Sequence, residues 1–266
     1  MEEAIRAEAM KIAEMLVDEH RRGVRFRPFA AALGIANASR AYAVQREYVR
    51  LLCEARGATP IGYKIGLTSK RMQEMCGIDS PTAGVVLSDR VHQSGATVTG
   101  SNYGRIGVEF EIAVRLGQDL LARRGGLTLE DVAEAIDAVC PAIEIVDDRH
   151  SDYKSLEAFS LIADNSWNAG IVLGEFKRLW PGLGAIEGIA LLDGKPIDRG
   201  VGRDVLGHPF HSVAWLAGHL AEIGTKLRTG DIVMTGSLVT TKFPERSSIY
   251  RFDVSGLGAV ELTVAM

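Results

Sequence analysis

The sequence contains few cysteines and no long apolar run. Its three cysteines, Cys53, Cys76 and Cys140, are far apart and form no C-x-x-C pair. An odd and scattered set argues against a disulfide framework and is typical of a reducing compartment, so we expect a cytoplasmic protein. No apolar stretch is long enough to predict a membrane-spanning helix, and the acidic N-terminal residues do not resemble a secretory signal peptide.

An excess of positive charge is absent as well. The formal net charge of −4 at pH 7 provides no basic surface, so we expect no nucleic-acid partner. Gly62–Gly66 does not have the G-x-G-x-x-G spacing, and there is neither a P-loop nor a G-x-S-x-G sequence. His208 and His211 have no cysteine or acidic pattern around them, so we interpret them as a helix cap and a packed or exposed histidine rather than zinc ligands.

The 266 residues, of which 47% are hydrophobic and 24% charged, are sufficient for a sizeable core. Apolar positions at helical spacing predict helices over residues 2–19 and 40–56, with Ser39 capping the start of the second and Gly57 its end. After residue 60, short β-like segments and glycines predominate. We therefore expect a mainly β core over residues 61–266, with a helical N-terminal section over residues 1–60 packed on it as one structural unit.

The segment Gly107–Leu116 alternates strictly between apolar and other residues, which predicts a β-strand with one buried face. Glu109 and Glu111 then share the opposite face, about 7 Å apart along the strand. Like charges at that spacing repel, and a hard divalent cation such as Mg²⁺ or Mn²⁺ suits their oxygens. Taken alone, the segment is more typical of a half-exposed strand with two solvated acids than of a metal site.

A third carboxylate favours the metal interpretation. Thr128 and Asp131 form a capping-box pattern that predicts a helix, whose apolar stripe extends to Val139 and which Pro141 ends. A strand is predicted next, at residues 142–146, and carries Glu144 between two isoleucines. Since acidic side chains are seldom buried without a partner, Glu144 requires a cation or a proton.

Lys64 is the best cationic candidate beside such a site. It lies in the middle of a short, glycine-rich β-like segment, Ile61–Leu67. The alternative is a surface lysine whose stem covers apolar side chains while its ammonium reaches water. The residues alone do not decide between these two interpretations.

Nine stretches, in this order, together resemble one known family, the 2-keto-4-pentenoate hydratase / 4-oxalocrotonate decarboxylase family within the fumarylacetoacetate hydrolase superfamily. The stretches are Gly62–Ser69, Gly77–Asp79, Glu109–Glu111, Pro141–Val146, Ala163–Asn165, Leu206–Pro209, Trp215–Ala217, Leu227–Ile232 and Thr235–Leu238. The resemblance extends from about residue 60 to the C-terminus and does not separate the two activities.

The resemblance implies an α+β fold, a mixed β-roll of the fumarylacetoacetate hydrolase C-terminal type with a helical N-terminal section. It also implies an Mg²⁺ or Mn²⁺ site made by Glu109, Glu111 and Glu144. The catalytic lysine and aspartate of the family match Lys64 and Asp79. Residues that would contact substrate include Leu67, Asn165, Ser166, Trp167 and Ser237.

One departure from the family pattern concerns the substrate pocket. The family commonly has Asp-Asn-Ala-Ser where this chain has Asp164-Asn-Ser-Trp167. The serine is therefore one position early, and a bulky tryptophan occupies its usual place. Asp147–Tyr153 also replaces a more usual Ser-Arg-Ile-x-Asp-Trp run. We expect both changes to affect the shape of the pocket.

The activity implied by the resemblance is that of a lyase acting on small 2-oxo or 2-hydroxy dienoic acids from aromatic catabolism. Hydration would add water at carbon 4 of a substrate chelated through its carboxylate and 2-oxygen. Lys64 would offset charge on the substrate, and Asp79 would relay a proton. The alternatives are decarboxylation of a 2-oxo dioic acid, C–C bond hydrolysis of an acylpyruvate, and a non-catalytic partner subunit, which an intact Glu109/Glu111/Glu144/Lys64 set disfavours. A homo-oligomer is expected.

Overall fold

The computed structural model describes residues 2–266, which form α-helices around two mixed β-sheets. The helices are α1 Glu2–Arg21, α2 Ala38–Arg56, α3 Lys70–Cys76, α4 Leu129–Ala135, α5 Ala158–Ala163 and α6 Pro209–Glu222. The strands are β1 Pro60–Gly66, β2 Thr82–Leu87, β3 Val91–Gln93, β4 Ala96–Thr99, β5 Ile106–Leu116, β6 Ile136–Asp147, β7 Asn168–Leu173, β8 Glu187–Leu192, β9 Lys195–Val201, β10 Ile232–Ser237, β11 Ser248–Val254 and β12 Gly258–Ala265.

The larger sheet positions the predicted site. Its seven strands have the order β2-β1-β10-β5-β6-β7-β3. The long antiparallel pair β5 and β6 lies near its centre, with Glu109 directly opposite Glu144. Strand β1 pairs in parallel with β10, and β10 pairs antiparallel with β5. The segments that carry Lys64, Glu109, Glu111 and Glu144 therefore belong to one sheet.

The smaller sheet covers one face of the larger one. Its five strands have the order β4-β12-β11-β8-β9. Phe110 of β5 packs between the sheets against Tyr250 and Phe252 of β11, with ring centroids 6.3 and 5.5 Å away. Since Phe110 points into this core, Glu109 and Glu111 on either side of it point to the other face of the larger sheet.

The N-terminal helices pack on the larger sheet through polar as well as apolar contacts. The buried amide of Gln45 in α2 donates to the carbonyl oxygens of Ala83 and Ile162, both at 2.8 Å. The N-terminal cap of α2 is Asn37, whose side chain accepts from the Arg40 N–H, so the prediction of Ser39 was wrong. Asn is among the best N-cap residues, and here it precedes the helix by one position. Gly57 ends the helix as predicted.

The segment after Thr128 differs from the prediction. The capping box is present, but α4 ends at Ala135 rather than continuing to Pro141. Residues 136–147 instead form β6, which pairs with β5 over almost its whole length. The apolar residues fit either spacing over so short a segment, and the β-branched side chains together with this pairing favour the strand.

Two strands of the smaller sheet were not predicted. Strands β8 and β9 form an antiparallel hairpin whose turn contains Asp193 and Gly194. An Asp-Gly pair between β-capable segments is a strong hairpin signal, so the sequence did contain the information.

Among the described residues, none of the helices combines the length and the apolar character needed to cross a membrane.

Gly62 provides a test of the β1–β10 contact that holds Lys64 in place. A Cβ atom at Gly62 would lie 1.9 Å from the Ile232 carbonyl oxygen, and the φ of Gly62 is +155°. Gly62→Ala should therefore lower the free energy of unfolding by at least about 1–3 kcal/mol, the usual range for overpacking. Urea denaturation measures this. Gly57→Ala is the matched control, because Gly57 also has a positive φ but open space around it; an equal loss in both variants would contradict the steric argument.

Candidate metal centre

Three glutamates converge on the side of the larger sheet that faces away from the smaller one. Oxygen atoms of Glu109, Glu111 and Glu144 all lie within 4.8 Å of one another. Glu109 and Glu144 are brought together by the β5–β6 register, and Glu111 lies opposite Ala142, whose small side chain leaves room beside it. The structure thus brings together the three carboxylates that the sequence singled out.

The glutamates are much less exposed than a half-solvated strand would make them. Glu111 and Glu144 are fully buried, and Glu109 is half-buried. Like charges directly opposite each other on neighbouring strands destabilise a sheet, and burial strengthens their repulsion. The interpretation as two solvated surface acids is therefore wrong, and the cluster requires positive charge.

Each carboxylate has one oxygen held by a neighbouring donor. The Thr241 hydroxyl donates to Glu109 Oε1 at 2.6 Å. The Gly236 N–H donates to Glu111 Oε2 at 2.8 Å; Gly236 lies at an irregularity in the β10–β5 pairing, between Met234 and Ser237. Bulges commonly redirect a group at such sites.

Lys64 is the cation of this cluster. Its ammonium lies 3.2 Å from Glu144 Oε1, and the residue is only 4% exposed. The alternative of a surface lysine is thus excluded. Its stem packs closely against β2, where a Cβ atom at Gly84 would lie 3.2 Å from Lys64 Cγ and 2.5 Å from the Asn165 carbonyl oxygen.

One ammonium is not enough for three carboxylates. Burial, together with the charges of Glu144 and Glu109, holds the pKa of Glu111 well above its ordinary value. Burial, with Glu109, raises the pKa of Glu144 to about 7, although Lys64 opposes this shift. Burial acts to lower the pKa of Lys64, but the attraction of the three carboxylates outweighs it and the pKa is raised. All three shifts show that the buried cluster favours added positive charge, as a proton or a cation.

The residues fit a hard divalent cation. Glu111 Oε1 and Glu144 Oε2 are buried and have no hydrogen-bond partner among the described residues. Unpartnered buried carboxylate oxygens are costly, and oxygen ligands are those that Mg²⁺ and Mn²⁺ prefer. With all groups ionised, three carboxylates and one ammonium leave two negative charges, which one divalent cation would balance.

The turn between α5 and β7 is strained. Asn165, Ser166 and Trp167 all have positive φ values, of 51°, 48° and 59°. A positive φ at a residue other than glycine costs about 1–2 kcal/mol of conformational free energy. The Asn165 amide offsets this by donating to the Val85 carbonyl oxygen at 2.9 Å and accepting from the Val85 N–H at 2.7 Å. The Ser166 hydroxyl donates to the Ala83 carbonyl oxygen at 3.1 Å.

Asp164 anchors this turn to the N-terminal section. One oxygen of its buried carboxylate lies 2.6 Å from His20 Nε2 in α1, and the other accepts from the Arg149 guanidinium at 2.8 Å. These partners outweigh burial and hold the pKa of Asp164 below its ordinary value. The position of the turn consequently depends on α1 and on the segment after β6.

Trp167 lies in a small aromatic cluster. Its ring meets Phe26 edge-on at 5.1 Å and Tyr153 at 6.0 Å. Leu67 and Ile78 are partly buried against the same cluster. The tryptophan therefore fills space between the N-terminal section and the segment after β6. A contact of Trp167 or Leu67 with substrate remains a prediction.

Two other predicted site residues have different surroundings. Asp79 is exposed on a bend after α3 and is not part of the carboxylate cluster. Ser237 is used within the sheet, where its hydroxyl accepts from the Phe110 N–H at 3.0 Å and donates to the Val239 carbonyl oxygen at 2.8 Å. Their functional roles likewise remain predictions.

A cavity of about 440 Å³ lies between the N-terminal helices and the strained turn. Its lining includes His20, Tyr48, Arg149 and Asn168 but none of the three glutamates. The chemistry of the carboxylate cluster is therefore not located in this cavity. Asn168 is the link between the two, since its amide also donates to Glu144 at 2.9 Å.

Three partners of the carboxylates were not predicted from the sequence: Thr241, Gly236 and Asn168. Thr241 and Asn168 are distant in sequence from the glutamates that they contact, and single polar residues carry no periodic signal. Gly236 lies within Thr235–Leu238, one of the stretches that carry the family resemblance. Its N–H reaches Glu111 only because of the irregular β10 pairing, which the sequence does not reveal.

Glu111→Gln tests the metal centre directly. Glutamine can still accept from the Gly236 N–H, but its NH₂ group would replace the free oxygen and repel a cation. We expect thermal unfolding with EDTA to occur at the wild-type temperature or above it, because a repelled buried charge is removed. Added Mn²⁺ should raise the melting temperature of the wild type, through binding to the native state, and leave that of Glu111→Gln almost unchanged. Equal Mn²⁺ shifts in both proteins would contradict this assignment.

Named relatives of this chain are hydratases. The chain is 34% identical to the 2-oxo-hept-4-ene-1,7-dioate hydratase of Escherichia coli over 232 residues, which are 83% of this chain and 84% of that protein. It is 36% identical to 2-keto-4-pentenoate hydratase 2 of Dechloromonas aromatica over 245 residues, or 90% of each protein. These relatives agree with the family predicted from the sequence.

The fold is shared with a solved lyase. The structure matches 4-oxalocrotonate decarboxylase from Pseudomonas putida G7, complexed with magnesium and adipate, with a TM-score of 0.90 at 29% identity over 97% of this chain and 98% of that one. The predicted α+β fold is confirmed by this match. Residues 50–265 match the fumarylacetoacetate (FAA) hydrolase C-terminal family. The chain therefore belongs to the fumarylacetoacetate hydrolase family.

Proposed function

We propose that this protein is a metal-dependent hydratase that adds water to a 2-hydroxy-2,4-dienoate, through its 2-oxo-4-enoate form, to give a 4-hydroxy-2-oxo acid. The observation that carries the proposal is the cluster of Glu109, Glu111 and Glu144 beside the buried Lys64. The names of the relatives support this substrate class. The structural match that contains magnesium supports Mg²⁺ or Mn²⁺ as the cofactor.

The three glutamates would hold the cation through the oxygens that lack protein partners. A divalent cation bound there supplies Lewis-acid stabilisation of negative charge on the carboxylate and 2-oxygen of the substrate. The protein contributes a site whose ligands are already positioned by Thr241 and Gly236. Such preorganisation lowers the reorganisation needed during the reaction.

We propose that Lys64 acts on the charge of the substrate. Its ammonium has three N–H donors, and Glu144 is its only ion-pair partner among the described residues. The remaining donors can therefore bind a carboxylate or enolate oxygen of the substrate. Because Lys64 is buried, that interaction is screened less than it would be in water. We propose Asp79, which is exposed on a bend after α3, as the proton relay that the family resemblance implies.

The same site suits a second reaction. Stabilisation of an enolate is also what decarboxylation of a 2-oxo dioic acid requires, and the likeness to 4-oxalocrotonate decarboxylase supports this alternative. The two reactions differ in their bond changes: decarboxylation breaks a C–C bond, so that the enolate forms as CO₂ leaves, whereas hydration adds H and OH from water across the C=C bond. A release of CO₂ distinguishes them.

We propose a cytoplasmic location for this enzyme. All three cysteines are free thiols, and Cys76 and Cys140 are buried, which suits a reducing compartment. The expected homo-oligomer remains a prediction, which measurement of the molar mass in solution would test.

An assay of the purified protein tests the proposed reaction. With Mg²⁺ and a panel of short and dicarboxylic 2-hydroxydienoates, we expect loss of the ultraviolet absorbance of the diene without release of CO₂, because hydration removes the conjugation. Glu111→Gln is the control for a contaminating activity. Release of CO₂ in step with the loss of absorbance would identify a decarboxylase, and no turnover of any substrate would contradict the lyase assignment.

Lys64→Met tests the role of the buried ammonium. Methionine is similar in length and carries no charge, so we expect kcat/KM to fall by about 10²–10³-fold, as when an electrostatic donor is removed. With saturating Mg²⁺ the melting temperature should stay within a few degrees, because the cation continues to neutralise Glu144. Lys226→Met, at an exposed ion pair with Asp119, is the control. If Lys64→Met instead unfolds and its folded fraction has normal activity, Lys64 is a structural residue.

A further inference from the structure

We propose that Asn168 is a positioning residue of the metal centre, which determines the oxygen that Glu144 presents to the cation. This inference rests on the proposed function, since it requires that the carboxylate cluster binds metal. Its starting point is an asymmetry in Glu144. Oxygen Oε1 accepts from Asn168 Nδ2 at 2.9 Å and lies 3.2 Å from the Lys64 ammonium, whereas Oε2 is buried without a partner among the described residues.

The two donors leave one oxygen of Glu144 available. A carboxylate oxygen that already accepts from an amide and lies beside an ammonium has little remaining capacity for a cation. Oxygen Oε2 is free, and Glu111 likewise has one held and one free oxygen. Asn168 therefore acts on Glu144 as Gly236 acts on Glu111, so that each buried glutamate offers a single oxygen.

An irregularity in the sheet brings Asn168 to this position. In the β6–β7 pairing Glu144 lies opposite Ile171 and Ile145 opposite Gly170. Regular pairing would next place Ala169 opposite Val146, but the register shifts and Asn168 lies there instead. Because side chains alternate between faces, the shift turns Asn168 to the face that also carries Val146 and Glu144.

The strained turn explains why the shift persists. Asn168 follows directly after Asn165–Trp167, the three residues with positive φ. That turn is fixed by hydrogen bonds to Val85 and Ala83 of β2 and by the contacts of Asp164 described above. The backbone that enters β7 is consequently held in one position, and the amide of Asn168 is directed at Glu144 before any metal binds.

An amide suits this position because it donates without adding charge. A carboxylate there would increase the negative charge of the cluster, and a lysine would offset the charge that the cation must balance. Amide donors to metal-binding carboxylates commonly orient the ligand, and their loss weakens metal binding by about 10–100-fold. Asn168 should therefore influence the affinity for metal, even in the absence of substrate.

Binding of Mn²⁺ to Asn168→Ala tests the inference without substrate. Isothermal titration calorimetry should give a dissociation constant about 10–100-fold above that of the wild type, because Glu144 can then rotate and pair through either oxygen. The electron paramagnetic resonance spectrum of the bound Mn²⁺ should change as well, which a merely structural loss would not cause. Asn102→Ala is the matched control, since Asn102 is exposed and lines the same cavity as Asn168.

The outcomes separate this inference from the proposed function. If the wild type itself does not bind Mn²⁺, the proposed metal centre is wrong. If the wild type binds Mn²⁺ and Asn168→Ala binds it equally well with an unchanged spectrum, or if Asn102→Ala weakens binding as much, Asn168 has no positioning role. If Asn168→Ala does not fold, Asn168→Ser is measured in the same way. Its shorter hydroxyl cannot replace the amide contact, so unaltered binding again overturns the inference.

Discussion

The structure depends on one electrostatic constraint, the burial of three carboxylates beside a single ammonium. Glu109 and Glu144 oppose each other directly across β5 and β6, and Glu111 lies one pleat away. A sheet would not tolerate this arrangement without positive charge. Lys64 supplies part of that charge, and the free oxygens of Glu111 and Glu144 accommodate the remainder. The buried carboxylates lower the local stability of the sheet, and the same arrangement forms a site for a divalent cation.

The surrounding elements keep that costly cluster in a fixed geometry. Donors from two segments, β10 with the loop after it (Gly236 and Thr241) and β7 (Asn168), each hold one oxygen of a different glutamate. Two of the three donors lie at irregular strand pairings. Regular pairing would have aimed these groups elsewhere, so the irregularities are functional parts of the sheet. The N-terminal helices contribute to this geometry indirectly, because His20 of α1 helps to hold the turn that precedes Asn168.

The sequence predicted the parts of the site that follow from local pattern. Strand periodicity placed Glu109 and Glu111 on one face, and the apolar neighbours of Glu144 indicated a buried acid. Likeness to a family supplied the convergence of these residues and the fold, neither of which periodicity reveals. Where the pattern was ambiguous the prediction was wrong, as at residues 136–141, because pairing with β5 decided the conformation. Asn168 could not be predicted, since its orientation depends on a shift of one residue in the sheet.

The opposed carboxylates of Glu109 and Glu144 also bear on the alignment of strands β5 and β6. Strands β5 and β6 are buried along nearly their whole length, so their alignment decides which side chains reach each face of the sheet. A slip of one residue would turn Glu144 to the opposite side of the sheet and separate it from Lys64 and Glu109. Only the native alignment assembles the carboxylate cluster, so a cation bound there would stabilise that alignment over the others. The residues of the proposed metal site would thereby also favour the native alignment of the central strands.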